Sequence, residues 1–304
     1  MQRNLCFASL ALSILSLIVL IVGLEKPRSQ NLGFSNTHHN IVDRMPLILD
    51  DPFKAMAEGG APQEQRGVEY RKWLSAGLRI NVKGAAGSGT IVYYDPKEGW
   101  AYVQSCGHLW NGNMSAKEGQ KKRLTCQVTT WYHNMKKLTE PKNYPAQVLY
   151  YSNVSGEDCS LLRFKPDWVP YYFPIAPDFE FKQGLRLHSV GCDGAREVAH
   201  YDVRVIGIQG ADLVTTENSP RPGRSGGGLM SDSYYVGICW GTSDYDGDGN
   251  GFFTPLDTLR RLNAREGFGW LNEVGFNLAR KIPIIDRNNP QGQYPRDYIP
   301  LPHR

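Results

Sequence analysis

Between residues 67 and 277 the chain alternates between short apolar runs and clusters of turn-forming residues. Each run is five or six residues long, and glycine, proline, asparagine and aspartate separate the runs. Residues 78–82 (Leu-Arg-Ile-Asn-Val) alternate as a strand with one buried face does. The pattern predicts an antiparallel barrel or sandwich rather than βαβ units. The predicted strands are 78–82, 90–94, 100–104, 124–128, 146–150, 160–164, 185–190, 203–208 and 234–238.

One helix is predicted where this β-rich region ends. In residues 254–257 (Thr-Pro-Leu-Asp), the threonine is a typical helix N-cap, the proline suits the first helical position, and the aspartate suits the first turn. Leucines then recur three residues apart. We therefore expect one helix from about residue 255 to residue 266, which closes a body that is otherwise mainly β.

The two ends of the chain have different compositions from the body. Residues 5–24 carry no charge and are long enough as a helix to cross a bilayer, since twenty residues rise about 30 Å. Residues 27–66 are polar and irregular, and residues 278–304 contain five prolines. We predict an anchor or uncleaved signal at 1–26, a linker at 27–66, a folded domain at 67–277 and a proline-rich tail at 278–304.

The apolar run at 5–24 has two other interpretations, a cleaved secretory signal and a buried core helix. It is longer than the usual apolar region of a signal peptide and is followed by no clear cleavage site. Positive charges flank both of its ends, so the distribution of lysine and arginine does not determine its orientation. We expect a single-pass membrane protein whose body lies outside the cytoplasm; the alternative is secretion after signal cleavage.

Charge and cysteine content indicate which nucleic-acid partners, disulfides and metal sites to expect. The net charge of +4 comes without a long run of lysine or arginine, so we expect no nucleic-acid partner. Cys6 falls within the apolar run and the other five cysteines are an odd number, so a dense disulfide framework is not expected. No C-x-x-C or H-x-x-x-H spacing occurs, and we expect neither a metal site nor a cofactor.

The strongest local motif is Pro-Gly-Arg-Ser-Gly-Gly-Gly at residues 222–228. A serine among glycines can expose its hydroxyl on a tight turn, where backbone N–H groups converge and can form an oxyanion hole. The same residues could be an ordinary glycine-rich turn. They also match the nucleophile-elbow pattern G-x-S-x-G, but that fold needs its histidine after the serine. Only His303, in the tail, follows Ser225, so the elbow is disfavoured.

Two further motifs precede this serine. A predicted strand runs into His108 through Ser-Cys-Gly, and Asp158 is followed by Cys159 and then by the predicted strand Ser-Leu-Leu-Arg-Phe. The order histidine, aspartate, serine resembles the chymotrypsin/trypsin-like serine protease family. The resemblance extends to residues 236–241, which are similar to the strand before that family's specificity pocket, and to 251–254, which are similar to its G-x-[aromatic]-T motif. Together the matches cover most of the body.

This resemblance implies two six-stranded antiparallel β-barrels of the chymotrypsin type with a C-terminal helix, here preceded by one transmembrane helix. It implies a serine endopeptidase that forms an acyl-enzyme, with Ser225 as nucleophile, His108 as base and Asp158 orienting the imidazole. The backbone N–H groups of Gly223 and Ser225 would form the oxyanion hole. The substrate would be a protein or peptide. The alternative is a catalytically silent, protease-like domain that acts as a membrane-tethered binding module.

The chain departs from the digestive members of this family. The residue directly after His108 is Leu109 rather than the cysteine of the usual disulfide, and Arg224 stands where aspartate is common. In zymogens that aspartate receives a newly cut N-terminus, and no Ile-Val-Gly-Gly-like start occurs here. Activation by N-terminal cleavage is therefore not expected, and the resemblance shifts towards bacterial or viral members.

The resemblance also implies the substrate-binding residues. Ser219 would form the base of the specificity pocket and Gly241 and Gly251 its walls, next to Cys239 and Trp240. Without a carboxylate at the base, we expect an uncharged, large apolar P1 residue. Cys239 takes a position usually held by serine, as a small replacement or as a redox-sensitive thiol.

The segment between the two wall glycines is acidic. Its aspartates match the spacing of a calcium-binding loop, but a helix–loop–helix context is missing, so a solvated acidic loop is favoured. They are Asp244, Asp246 and Asp248.

Overall fold

The computed structural model describes residues 68–131, 140–154, 156–209, 213–217, 220–231, 233–243 and 249–281. These residues form four α-helices and twelve β-strands. In chain order they are α1 (Val68–Ala76), β1 (Gly77–Val82), β2 (Ala85–Asp95), β3 (Trp100–Ser105), α2 (Ala116–Lys122), β4 (Thr125–Thr130), β5 (Lys142–Ser152), β6 (Cys159–Phe164), β7 (Arg186–Cys192), β8 (Val198–Gln209), β9 (Leu213–Thr216), β10 (Gly228–Met230), β11 (Tyr235–Thr242), β12 (Gly251–Pro255), α3 (Leu256–Arg265) and α4 (Trp270–Lys281).

The strands close into two antiparallel barrels of six strands each. The first has the order β1-β2-β3-β6-β5-β4, and the second has the order β10-β11-β12-β9-β8-β7. Closure leaves neither barrel with a long unpaired edge. The prediction of a mainly β body with two six-stranded barrels and a C-terminal helix is confirmed.

The first barrel is filled by aliphatic and aromatic side chains that alternate with outward-facing ones. Ile80, Ile91 and Val103 are fully buried inside it, together with Leu162 and Phe164 from β6. Position 89, between these side chains, has room only for glycine, because an added Cβ there would fall 2.6 Å from a methyl of Val103. The core of the second barrel is continuous with a layer of side chains from strands of the first barrel, such as Tyr150 and Leu161, and with the layer beneath α3 and α4.

The helix α3 begins one residue later than predicted. Pro255 is its N-cap and has no side chain that can accept a hydrogen bond from the first turn, whereas Thr254 belongs to β12 and pairs with Ile238. Thr254, which the sequence suggested as the N-cap, is instead a strand residue of the sheet. Buried Leu256, Leu259 and Leu262 confirm the predicted apolar face.

Several short elements were not predicted. Strands β9 and β10 have four and three residues, too few to show alternation. Helix α2 is polar, yet its capping box is visible in the sequence, since Ser115 and Glu118 bond to each other's backbone N–H groups. The strand β12 and the helices α1 and α4 were also not predicted.

None of the described helices is long and apolar enough to cross a bilayer. The predicted anchor at residues 5–24 and linker at 27–66 lie outside the described residues, as does most of the predicted tail. Within the described part of the chain, the five cysteines are buried and form no disulfide.

Candidate active site

His108 and Asp158 are hydrogen-bonded to each other at the edge of the first barrel. His108 lies three residues after the end of β3, and Asp158 lies immediately before β6, which pairs with β3. The His108 Nδ1 atom is 2.6 Å from Asp158 Oδ2. The other carboxylate oxygen, Oδ1, accepts the backbone N–H groups of Gly107 and His108, each at 2.7 Å. Three hydrogen bonds thus hold the Asp158 carboxylate in one orientation.

Gly107 allows this close approach. An added Cβ at position 107 would fall 1.8 Å from the carbonyl oxygen of Ser152, which no side chain can tolerate. The backbone of the histidine loop therefore lies directly against the end of β5. The small-residue turn before His108 in the sequence has this structural reason.

The electrostatics of His108 follow from its partner. Burial is the largest single influence and lowers the pKa of the imidazole, but the interactions with Asp158 and with Cys106 together raise it by more, so the pKa lies well above its ordinary value. The other ring nitrogen, Nε2, lies 3.7 Å from the Cys106 thiol. Burial raises the pKa of that thiol, so Cys106 is a neutral neighbour.

Ser225 lies in the tight turn that precedes β10, and its side chain is half-buried. Both barrels hold this turn in place. The backbone N–H of Ser88 in β2 donates to the carbonyl of Ser225 at 2.7 Å, and that of Gly226 donates to Cys239 in β11 at 2.6 Å. Gly226 has φ of +87°, and an added Cβ would fall 2.1 Å from Ser105 Oγ. The turn therefore contacts the first barrel at the residues just before His108.

The N–H groups of this turn divide into two sets. Those of Arg224, Gly226 and Gly227 donate to carbonyl oxygens. In the part of the chain that the structure describes, no acceptor meets the N–H groups of Gly223 and Ser225. Gly223 has φ of +91°, a conformation that glycine adopts without strain. Two donors that flank Arg224 are thus available to a ligand.

Arg224 is a buried cation, with only 1% of its side chain exposed. It forms a two-pronged ion pair with Asp193, with Nε 2.8 Å from Oδ1 and Nη2 2.9 Å from Oδ2. Its guanidinium also lies over the ring of Tyr201, 4.1 Å from the centroid. Burial lowers the pKa of Arg224, but the ion pair with Asp193 and the neighbouring Tyr201 together raise it by more, so the guanidinium stays charged.

Asp193 begins a 3₁₀ turn, Asp193–Ala195, that packs on Gly223. The Gly194 N–H donates to the carbonyl of Pro222 at 2.6 Å, and an added Cβ on Gly223 would fall 2.7 Å from the nitrogen of Ala195. Arg79 in β1 donates to the carbonyl of Ala195. The ion pair therefore connects the turn that carries Ser225 to a loop fixed by both barrels.

The predicted substrate-binding residues lie partly within the described chain. Trp240 sits at a bulge between β11 and β12 and stacks on Phe252, with ring centroids 5.4 Å apart. Gly241 and Gly251 follow it on adjacent strands, opposite Phe252 and Thr242. The Cys239 side chain is 1% exposed. Ser219, predicted as the pocket base, and residues 244–248 lie outside the described residues.

The sequence did not predict the residues that support the serine turn. Ser88 Oγ donates to the carbonyl of Gly223 at 2.7 Å and accepts the N–H of Cys192 at 2.7 Å. Ser105 Oγ donates to the carbonyl of Ser88 at 2.6 Å. Arg224 was the one signal in the sequence, because a buried charge requires a partner. The identity of that partner depends on the loop before β8.

No protein-family model matches the chain, and no curated protein matches it. Solved structures do resemble it. Rv3671c from M. tuberculosis, in an inactive mutant form, is 18% identical, with a TM-score of 0.49 over 69% of this chain and 95% of that one. A serine endoprotease from Yersinia pestis is 17% identical, with a TM-score of 0.48 over 69% of each chain. The MamO protease domain from Magnetospirillum magneticum is 19% identical, with a TM-score of 0.46 over 63% of this chain and 97% of that one. Such likeness carries no information about residue roles.

Proposed function

We propose that the chain is a serine endopeptidase that hydrolyses peptide bonds through His108, Asp158 and Ser225. The observation that carries this proposal is the 2.6 Å contact between His108 Nδ1 and Asp158 Oδ2, beside the glycine-rich turn of Ser225. A histidine whose Nδ1 is held by a carboxylate presents Nε2 as a base, which is what a serine nucleophile requires.

The first half-reaction transfers the acyl group to the enzyme. The Ser225 hydroxyl is too weakly acidic to attack unaided, so His108 Nε2 accepts its proton as Oγ bonds to the scissile carbonyl carbon. The imidazolium then gives this proton to the leaving amine, the C–N bond breaks, and an ester on Ser225 is left. In the second half-reaction, water attacks the ester while His108 accepts its proton. The bond from the acyl carbon to Ser225 Oγ then breaks, His108 returns the proton to Oγ, and the carboxylic acid product leaves.

Two features of the site would stabilise the charges that develop. Asp158 stabilises the imidazolium and holds its tautomer, and it is itself fixed by the N–H groups of Gly107 and His108. The N–H groups of Gly223 and Ser225 are available to bind the oxyanion of the tetrahedral intermediate. Losing one such donor typically costs about 10²–10³ in kcat.

The substrate in this proposal is a protein or peptide with an uncharged, large apolar P1 residue. Ser219 would form the base of the pocket, and Gly241 and Gly251 would leave its entrance open beside Trp240 and Cys239. A basic P1 residue would need a carboxylate at the base to replace its hydration. No cofactor is required.

We also propose that residues 5–24 tether the domain to a membrane, with the protease body outside the cytoplasm. A flexible linker of about 40 residues has an r.m.s. reach of about 35 Å, enough to hold the domain clear of the surface. Carbonate washing of membranes and protease shaving of intact cells test this. Release by carbonate would contradict the tether, and shaving only after permeabilisation would contradict the orientation.

The test of the catalytic proposal is covalent labelling of the full chain by a fluorophosphonate probe. The wild-type protein and the control variant Ser233→Ala, which changes an exposed serine of the second barrel, should both be labelled. Ser225→Ala should lose the label, and peptide mass spectrometry should place it on Ser225. An unlabelled wild-type protein would favour the alternative, a silent protease-like domain that acts as a binding module.

A further inference from the structure

A second cluster of potential metal ligands lies on the outer surface of the second barrel, on strands β7 and β8. His188 on β7 pairs directly with Asp202 on β8, and His200 is two residues before Asp202, so all three side chains are on one face of the ribbon. His200 is buried, His188 is 18% exposed and Asp202 is 76% exposed. The catalytic proposal does not use this cluster.

The donor atoms of the three side chains form a compact triangle. His188 Nδ1 is 3.0 Å from His200 Nε2 and 3.0 Å from Asp202 Oδ1, and His200 Nε2 is 3.6 Å from that same oxygen. Around a tetrahedral zinc ion with bonds of about 2.0–2.1 Å, neighbouring ligand atoms are about 3.3 Å apart. The triangle therefore has the dimensions of one face of such a tetrahedron.

Hydrogen bonds among the three side chains explain this arrangement less well than a bound metal ion does. A proton on His188 Nδ1 lies in the ring plane and points in one direction, so it cannot bond equally to the His200 nitrogen and the Asp202 carboxylate. A metal ion at the centre meets the lone pairs of all three atoms at once. Two imidazoles and one carboxylate are also ligands that zinc prefers.

Trp73 of α1 holds both imidazoles in place. Its ring stacks on His188 with centroids 3.9 Å apart and on His200 with centroids 4.7 Å apart. The rings are thus oriented before an ion binds, which reduces the entropy cost of binding. The exposed Asp202 side leaves the fourth position of the tetrahedron open to water.

We propose that His188, His200 and Asp202 bind one Zn²⁺ ion, with water as the fourth ligand. The ion would join β7 to β8 and fix the rings on which Trp73 of α1 packs. Tyr201, between the two β8 ligands, donates its hydroxyl to Asp193 at 2.5 Å. The residue between two of the proposed ligands therefore contacts Asp193, the partner of Arg224.

The test is zinc titration of the full chain, purified without a polyhistidine tag and stripped with a chelator. Calorimetry with ZnCl₂ should give one ion per chain, and Zn²⁺ should raise the thermal unfolding temperature because it binds only the folded state. Asp202→Asn and His188→Gln should each weaken binding by at least about 100-fold, since losing a mere outer-shell partner costs roughly 10–100-fold. Asp202 is exposed, so its variant should fold normally.

Two controls make the result specific. Asp257→Asn changes an exposed carboxylate on α3 and should leave zinc affinity unchanged. His108→Gln removes a ligand from the one other His/Cys/Asp cluster found among the described residues, that of Cys106, His108 and Asp158, and should also leave it unchanged. The proposal is overturned if the wild-type chain binds no zinc, if Asp202→Asn or His188→Gln binds it normally, or if His108→Gln abolishes binding. None of these measurements depends on peptidase activity.

Discussion

Arg224 and Asp193 form a buried, bidentate ion pair immediately before Ser225, with contacts of 2.8 and 2.9 Å. The Asp193 side chain is 15% exposed and that of Arg224 is 1% exposed, so neither charge is well hydrated. The pair joins the turn that carries Ser225 to the 3₁₀ turn that packs on Gly223. Both partners lie in loops of the second barrel. The ion pair therefore forms without the newly cut N-terminus that the corresponding aspartate of zymogens requires.

We expect Arg224→Met to lower the free energy of unfolding at pH 7 by about 3–5 kcal/mol, because it leaves the Asp193 charge buried without its partner. Urea denaturation measures this. The kcat should fall as well, since the loop that packs on Gly223 loses its anchor. The double variant Arg224→Met/Asp193→Asn removes both charges and should recover part of the stability. A single variant as stable as wild type would contradict a structural role for the pair.

The acid limb of kcat/KM should have its midpoint above pH 6.5, the ordinary value for histidine. Only the neutral imidazole accepts the serine proton, and Asp158 raises the pKa of His108, so activity appears only as pH rises past that raised value. The same shift stabilises the fold below about pH 6.5, and this contribution is lost as pH rises through the folded-state pKa.

A variant of Asp158 tests the cause of the raised midpoint in the pH profile. Asp158→Asn removes the negative charge and should move the midpoint to lower pH while it reduces kcat. A profile that is flat between about pH 5 and 8 would contradict a histidine base. A midpoint unchanged in Asp158→Asn would contradict the electrostatic role of Asp158.

Gly107→Ala should reduce activity at least tenfold and destabilise the fold by about 1–3 kcal/mol, the usual cost of overpacking. The added methyl would collide with the carbonyl of Ser152, 1.8 Å away, and displace the N–H groups that hold Asp158. Gly207→Ala is the control, because its added Cβ would meet only Thr215 at 3.6 Å. It should change stability by no more than about 0.5 kcal/mol. Equal effects at both sites would show that the fit around Gly107 is not special.

Iodoacetamide should not inactivate the native protein. Cys106 is next to His108 Nε2, but burial raises its pKa, and burial raises the pKa of Cys126 and Cys192 to about 12. A protonated, buried thiol is a poor nucleophile. Mass spectrometry should find the five body cysteines unmodified in the native state and alkylated in urea. Native-state inactivation with modification of Cys106 would point to a thiol nucleophile in place of Ser225.

A positional-scanning peptide library should show a preference for large apolar or aromatic residues at P1. The proposed pocket has Ser219 at its base, and a hydroxyl does not compensate for the buried charge of lysine or arginine. Asp244, Asp246 and Asp248, which the sequence predicts to be solvated, should add only a weak attraction for basic groups, and this attraction should fade at high ionic strength because solvated charges are screened. A salt-insensitive preference for arginine or lysine would overturn the Ser219 assignment.

The alternation of apolar and polar residues was enough to predict the class of fold and nine of the twelve strands. Local patterns were also sufficient for the face of α3, since its leucines recur at helical spacing and are buried. Local patterns alone left other interpretations open for Ser225 and His108, and the order of the histidine, aspartate and serine motifs, which resembles that of a known family, made His108, Asp158 and Ser225 candidates together. Short elements such as β10 escaped prediction because three residues carry no periodicity.

Tertiary structure alone decided which distant residues meet. Asp193 as the partner of Arg224, Ser88 as the link from β2 to Gly223, and the convergence of His188, His200 and Asp202 follow from strand register and from packing between the barrels. The sequence by itself determined that Arg224 would need a counter-charge if it were buried. It could not determine which one, because a contact between residues far apart in the chain depends on the closed path of the whole sheet, and no local pattern records that path.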